Sequence, residues 1–246
     1  MSAHWLALGF ALVAALFACV GQAGGAGYLA VMGLSGLDIA TTKATSLALN
    51  VVVAAIASVR FARLGNLRRA DWLPFTLAAV PLSVLGGMIN LPGQTYRLVV
   101  AALMLLTAIQ MAWAALRRRD GAMHIQPAPP MLPSLLAGAA IGIVSGIVGI
   151  GGGIFLAPLL LLMHWADVRR TVAATAVFNL VVSLAGLAGL MIAGSTLPAA
   201  MPQWALAVTV GGVAGAWLGG KHLPDTALRL VLAVILLGSA IRLTLG

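Results

Sequence analysis

Gly146 to Leu160 reads GIVGIGGGIFLAPLL, and five of its first eight residues are glycine. Inside a helix each glycine costs about 1 kcal/mol relative to alanine. Apolar sequence nevertheless runs on both sides, from Leu132 to Met163, with Pro158 five residues after the last glycine. Non-helical backbone at membrane depth survives only where protein buries it or it lines a wet cavity. A fold that places this stretch in a bilayer must therefore contain an interrupted helix and supply the interruption with partners.

The composition sets that context. The chain is 62% hydrophobic and 8% charged, with a mean hydropathy of +1.09. Soluble domains are about half apolar and about a quarter charged. The apolar runs approach the roughly 20 residues that cross a bilayer, which indicates an all-α polytopic membrane protein. The formal charge of +9 would suggest nucleic acid in a soluble chain. Here the cations cluster at the ends of apolar runs, as in Arg60 to Arg69 and Arg117 to Arg119, so they read as topology. Cys19 is the only cysteine, which leaves no intrachain disulfide or cysteine metal cluster. LFAC (Leu16 to Cys19) faintly resembles a lipoprotein cleavage site, but MSAHWLAL lacks the positive start a signal peptide needs. Cys19 is expected to be a packing residue.

The chain also resembles itself. LDIATTKATSLALNVVV (Leu37 to Val53) lies over ADVRRTVAATAVFNLVV (Ala166 to Val182), matching Asp38/Asp167, Thr42/Thr171, Ala44/Ala173 and Asn50/Asn179, with Ser46 opposite Thr175. Further on, Trp72/Trp204, Gly87/Gly219, Leu91/Leu223, Pro92/Pro224 and Arg97/Arg229 coincide. Upstream, GGAG (Gly24 to Gly27) overlays IGGG (Ile150 to Gly153). Two membrane repeats are expected, residues 1–116 and 133–246, joined by a polar, proline-rich cytoplasmic linker over 117–132. Each would hold one Gly-interrupted segment (4–34 and 133–163) and three uninterrupted ones.

Sidedness discriminates between two arrangements. If the interrupted segments cross once, eight spans form parallel repeats, and Lys and Arg divide 8 to 6 across the membrane. If each instead turns back as a re-entrant pair of half-helices, each repeat crosses three times and the second is inverted. Then only Lys43, Arg97 and Arg242 fall outside, an 11 to 3 division that the positive-inside rule favours. Inverted repeats with broken helices are a known transporter plan.

A broken helix presents backbone N–H groups and a partial positive charge at the start of its second half. Glycines let an anion approach without a Cβ in the way, as at nucleotide-phosphate loops, although no Lys-Ser/Thr follows Gly153. Gly149, Gly151, Gly152 and Gly153 are therefore candidate substrate-binding residues near the midplane, with Gly24, Gly25 and Gly27 their first-half counterparts. Pro158 suits the early turn of the second half-helix. Gly142 and Gly146, and Gly211, Gly215 and Gly219 with the matched Ala79, Ser83 and Gly87, read instead as close helix packing. Asn50 and Asn179 either tie their helices to the breaks or donate to substrate, or do both. Ser46 and Thr175 share their faces one turn earlier, and Ser145, Gln22 and Thr45 are further candidates. Asp38 and Asp167 read as N-caps, and Arg97 and Arg229 as snorkelling anchors. There is no glutamate, and every Asp and His lies near a segment end or in a loop, so no intramembrane proton relay is legible.

GIVGIGGGIFLAPLLLL, followed by ADVRRTVAATAVFN and the weaker first-half copy, resembles the sulfite exporter TauE/SafE family of membrane permeases. The resemblance implies movement of small sulfur-containing anions and organosulfonates, such as sulfite and sulfoacetate, across the bacterial inner membrane. The first half departs from the pattern, with Met32 where the second half has Pro158 and GQAGGAG for GIVGIGGG. The expected function is a secondary transporter for such an anion, working by alternating access with neither cofactor nor metal. An anion channel and a scaffold or accessory subunit, with glycines serving only packing, are the alternatives. An enzyme is not expected, since no HExxH, GxSxG or paired intramembrane carboxylate occurs.

Overall fold

The computed structural model describes residues 3–19, 22–35, 37–63, 65, 67–116, 128–218 and 225–245. Most of the linker (117–127, with Arg117 to Arg119, Asp120 and His124) lies outside them, as do Gly219, Lys221, His222, Leu223 and Pro224. The described residues form ten α-helices and no strand. They are α1 (Ala3–Cys19), α2 (Gly25–Ser35), α3 (Ile39–Arg63), α4 (Arg69–Met88), α5 (Gly93–Leu116), α6 (Met131–Val148), α7 (Gly153–Leu162), α8 (Val168–Ile192), α9 (Met201–Leu218) and α10 (Asp225–Leu245). Among them α3, α4, α5, α6 and α8 are long and apolar enough to cross a membrane.

The helix ends follow the local chemistry. The Asp167 carboxylate accepts the Arg170 N–H at 2.9 Å and the Asp38 carboxylate accepts the Thr41 N–H at 3.1 Å, so both cap helices as expected. Hydrogen bonding to Thr41 holds the Asp38 carboxyl below its usual range. α6 ends where Gly149 turns left-handed (φ 82°) and donates to the Ser145 carbonyl at 2.8 Å.

The apolar segments break where glycine suggests, but unevenly. α1 and α6 have 17 and 18 residues, whereas α2 and α7 have 11 and 10. The second break thus lies beyond the middle of its segment, because α6 continues along α4 until the Tyr96 hydroxyl of α5 bonds the Val148 carbonyl at 2.9 Å. Pro158 also falls elsewhere than expected. α7 begins at Gly153, which puts Pro158 in the second turn, where it deprives the Ile154 carbonyl of its helical donor.

Small residues set the helix pairings. A Cβ on Gly138, Gly142 or Gly146 of α6 would run into the carbonyl oxygens of Phe75, Ala79 or Ser83 on α4. Gly211 and Gly215 of α9 meet Ala11 and Ala15 of α1 in the same way. Residue numbers rise together in both pairs, so each pair is parallel, with backbones in the close contact that glycine permits. Within the breaks the chain folds back. Gly9 of α1 faces Val31 of α2, and Gly27 faces Val13 and Phe17, so α2 returns along α1. Beyond α7, the Trp165 ring lies 6.1 Å from that of Phe75, tilted by 44°, near the start of α4, where α6 also begins.

Two contacts at opposite ends of α4 orient the long helices. At its start, Asp71 takes two hydrogen bonds from the Arg170 guanidinium, at 2.8 and 2.5 Å, from the first turn of α8. At its end, the Ile89 carbonyl accepts the Lys43 Nζ of α3 at 2.9 Å. Twenty residues of helix span about 30 Å, so α3 and α8 start from opposite ends and run antiparallel. Gly186 against Leu47, and Gly151 between Asn50 and Asn179, fit the same register.

Candidate functional site

The two breaks, far apart in sequence, meet between the middles of α3 and α8. Gly25, at the start of α2, lies so close to the Ile150 carbonyl that a Cβ there would overlap it. The same carbonyl accepts the Asn50 amide at 2.9 Å. Asn179 accepts the N–H of Gly153, the first residue of α7, at 3.3 Å, and the Ser46 hydroxyl reaches the Gly25 carbonyl at 3.4 Å. Each asparagine therefore joins the second break to one of the two central helices, which supports the tying role.

Beside these contacts is a cavity of about 30 Å³ lined by Gln22, Gly24, Gly25, Gly153, Thr175 and Asn179, among others. Ala54 and Ala57 of α3 and Ala176 of α8 complete part of its wall, so it lies on the Arg60 and Arg170 side of the asparagines. Among the described residues no charged side chain lines it. α2 and α7 both begin at this cavity, so two helix N-termini bring their partial positive charge to one place. The side-chain oxygen of Gln22 in its wall and that of Asn50 behind the wall are both buried without a hydrogen-bond partner. Unpaired acceptors at such depth are costly, and they mark where a donor on a ligand or a water would fit.

The expected site residues separate into three groups. Gln22, Gly24, Gly25, Gly153, Thr175 and Asn179 line the cavity, although the Thr175 hydroxyl bonds back to the Thr171 carbonyl at 2.9 Å. Asn50, Ser46 and Gly151 stand directly behind that lining, with Gly151 (φ 79°) pressed against Asn50, Asn179 and Ser183. Gly27, Gly149, Gly152 and Ser145 do not line it. Gly27 packs on Val13 and Phe17, Gly149 on the backbone of Lys43, and Gly152 on Phe178 and Ile141. Ser145 is fully buried one turn before the α6 cap, its hydroxyl without a partner.

Three residues not singled out from sequence belong to this neighbourhood. Ser183 is buried beside Gly151, and its place four residues after Asn179 was the available signal. Tyr96 caps α6. Lys43, counted among outer-end cations by sequence, is only 1% exposed inside α3, its backbone against Gly149. Cys19 donates its thiol to the Gly215 carbonyl at 3.2 Å, an ordinary packing contact.

Comparison with known proteins bears on this geometry. The family model for sulfite exporter TauE/SafE matches residues 6–243. A protein of Sinorhizobium fredii described as a probable membrane transporter is 41% identical over 201 residues, covering 82% of this chain and 81% of its own. No solved structure is a significant match.

Proposed function

The chain belongs to the sulfite exporter TauE/SafE family, membrane transporters rather than enzymes, and on that premise we propose a secondary carrier for a small sulfur oxyanion or organosulfonate, such as sulfite or sulfoacetate, in the bacterial inner membrane. The observation that carries this reading is the convergence of two half-helix N-termini, at Gly25 and Gly153, on one cavity with no charged side chain among the described residues of its wall. Each N-terminus is equivalent to roughly half an elementary charge. Together they offer about one, which matches a singly charged anion such as hydrogensulfite and offsets about half the charge of a dianion such as sulfite or sulfoacetate.

The cavity of about 30 Å³ has room for about one or two waters, so loading requires the breaks to separate. We take the two repeats, 1–116 and 133–246, to be inverted and joined by a cytoplasmic linker over 117–132, with re-entrant α1–α2 and α6–α7. Supporting this are the fold-back contacts of α2 on α1, the exchange of α1 and α6 onto α9 and α4, and the antiparallel α3 and α8. Rocking of one repeat against the other would then expose the cavity to each side in turn. Asn50 and Asn179 carry that motion to the second break because each is hydrogen-bonded to it.

Thermal stability of the purified protein against sulfite, thiosulfate, sulfate, sulfoacetate, taurine, acetate and lactate, at fixed ionic strength, tests the reading. A specific ligand at about 100 times its Kd adds about 2.7 kcal/mol. We expect one sulfur oxyanion or sulfonate to stabilise the wild type and to lose that effect in Asn179→Ala and Gly151→Ala. A flat response across the panel overturns the anion site at the breaks.

A further inference from the structure

The chain has two tyrosines, and both are buried. The Tyr96 hydroxyl bonds the Val148 carbonyl at 2.9 Å. The Tyr28 hydroxyl, on a residue 0% exposed, has no hydrogen-bond partner among the described residues. Phenylalanine would fill the same space without stranding a polar group in the interior, so the hydroxyl needs a reason.

Its position supplies one. Tyr28 lies in the first turn of α2, where its N–H bonds the Gly24 carbonyl at 2.9 Å. Long helical side chains lean back toward the N-terminus, over the residue about four positions earlier. Tyr28 does so, since a Cβ on Gly24 would lie only 3.2 Å from its hydroxyl oxygen. The lean carries the hydroxyl to the end of α2 that opens on the central cavity, and Gly24 is itself part of the cavity wall. The ring is held from behind: Phe10 meets it edge-on with centroids 5.9 Å apart, and Trp204 of α9 meets Phe10 at 5.4 Å. Ile154, which overlays Tyr28 when GGAG is set over IGGG, lines the cavity directly. The Gln22 oxygen in the same wall is also unpartnered, so the two groups do not satisfy one another.

We propose that Tyr28 is a substrate-binding residue of the central site, its hydroxyl donating to an oxygen of the bound oxyanion. This rests on the carrier reading above and adds to it a side-chain donor. In the form described here the hydroxyl stands behind Gly24, beside a cavity of about 30 Å³. Separation of the breaks for loading moves α2, which carries Gly24 and Tyr28 together, so the hydroxyl meets the anion along with the N–H groups of its own helix. Helix N-termini supply charge to any anion, whereas an O–H donor adds a directional contact that an oxyanion oxygen accepts. The second half offers no such donor at the matching place, because Ile154 is apolar. The first half thus supplies the directional contact.

Equilibrium binding of radiolabelled sulfite and of radiolabelled sulfoacetate to the detergent-purified full chain tests this, with the melting temperature of the ligand-free protein measured alongside. Tyr28→Phe removes one oxygen and keeps the ring. It is expected to weaken binding of whichever anion the wild type takes by roughly tenfold or more. The ligand-free melting temperature should stay unchanged or rise, because the hydroxyl has no partner in that state. Wild-type affinity in Tyr28→Phe for an anion that the wild type binds overturns this proposal and leaves the carrier reading standing. Weaker binding together with a lowered ligand-free melting temperature overturns it as well, by assigning the hydroxyl to the fold. Binding of neither anion by the wild type rejects the carrier reading and this proposal together.

Discussion

Gly25 and Gly238 are the same residue in opposite surroundings. A Cβ on Gly25 would overlap the Ile150 carbonyl and crowd the Asn50 amide, whereas a Cβ on Gly238 of α10 meets nothing within 4 Å. Overpacking costs about 1–3 kcal/mol, while replacing an unconstrained helical glycine by alanine gains about 0.5–1 kcal/mol. Gly25→Ala should therefore lower the melting temperature of the detergent-purified protein, and Gly238→Ala should leave it unchanged or raise it. A wild-type melting curve for Gly25→Ala would mean that the breaks do not touch. Sequence pattern separated these glycines only partly. Gly25 stood out because it neighbours Gly24 and overlays the second cluster. Nothing local distinguished Gly149 and Gly152, which pack on Lys43 and Phe178, from Gly153, which lines the cavity. Those roles depend on side chains brought in from α3 and α8.

Among the elements, caps were the most legible features, because an N-cap is a local interaction over three residues. Asp38 and Asp167 start α3 and α8 as their spacing suggested. The Asp38 carboxyl is held below its usual range, so its stabilisation is present above the unfolded pKa of about 3.9 and is lost as pH falls through the lower folded value. Asp38→Ala should cost about 1 kcal/mol near neutral pH, and its gap from wild type should close as the pH is taken below about 4. Asp38→Asn keeps an accepting oxygen and should show no such pH dependence. A constant gap for Asp38→Ala in a pH series of melting curves would exclude the cap. The unequal lengths of α6 and α7 were not legible, since the glycines mark where a helix can break but not how deep in the fold that point lies. That depth follows from the register of α6 on α4 and from the hydroxyl of Tyr96.

For the whole molecule, orientation is the property with the sharpest consequence. Asp71 with Arg170 and Ile89 with Lys43 put the starts of α3 and α8 at opposite ends of α4. An arrangement of eight spans in parallel repeats would instead place Asp71 and Arg170 on opposite sides of the bilayer. In a Cys19→Ala background, a membrane-impermeant thiol reagent applied to intact cells should label Ala200→Cys and spare Arg169→Cys. Labelling of Arg169→Cys without Ala200→Cys would refute the inverted arrangement.

Some of this protein was determined by its sequence alone. Hydrophobicity and run length made it a helical membrane protein, glycine clusters located the interruptions, and capping aspartates marked helix starts. These properties depend on residues within a turn or two of one another. The meeting of the two breaks, the shared cavity at the starts of α2 and α7 and the burial of Lys43 were decided only by tertiary structure. Helices that are apolar on every side carry no amphipathic stripe to say which face turns inward. That choice rests on backbone-close contacts between small residues far apart in the chain, such as Gly142 with Ala79 and Gly211 with Ala11, and those contacts exist only once the helices have assembled.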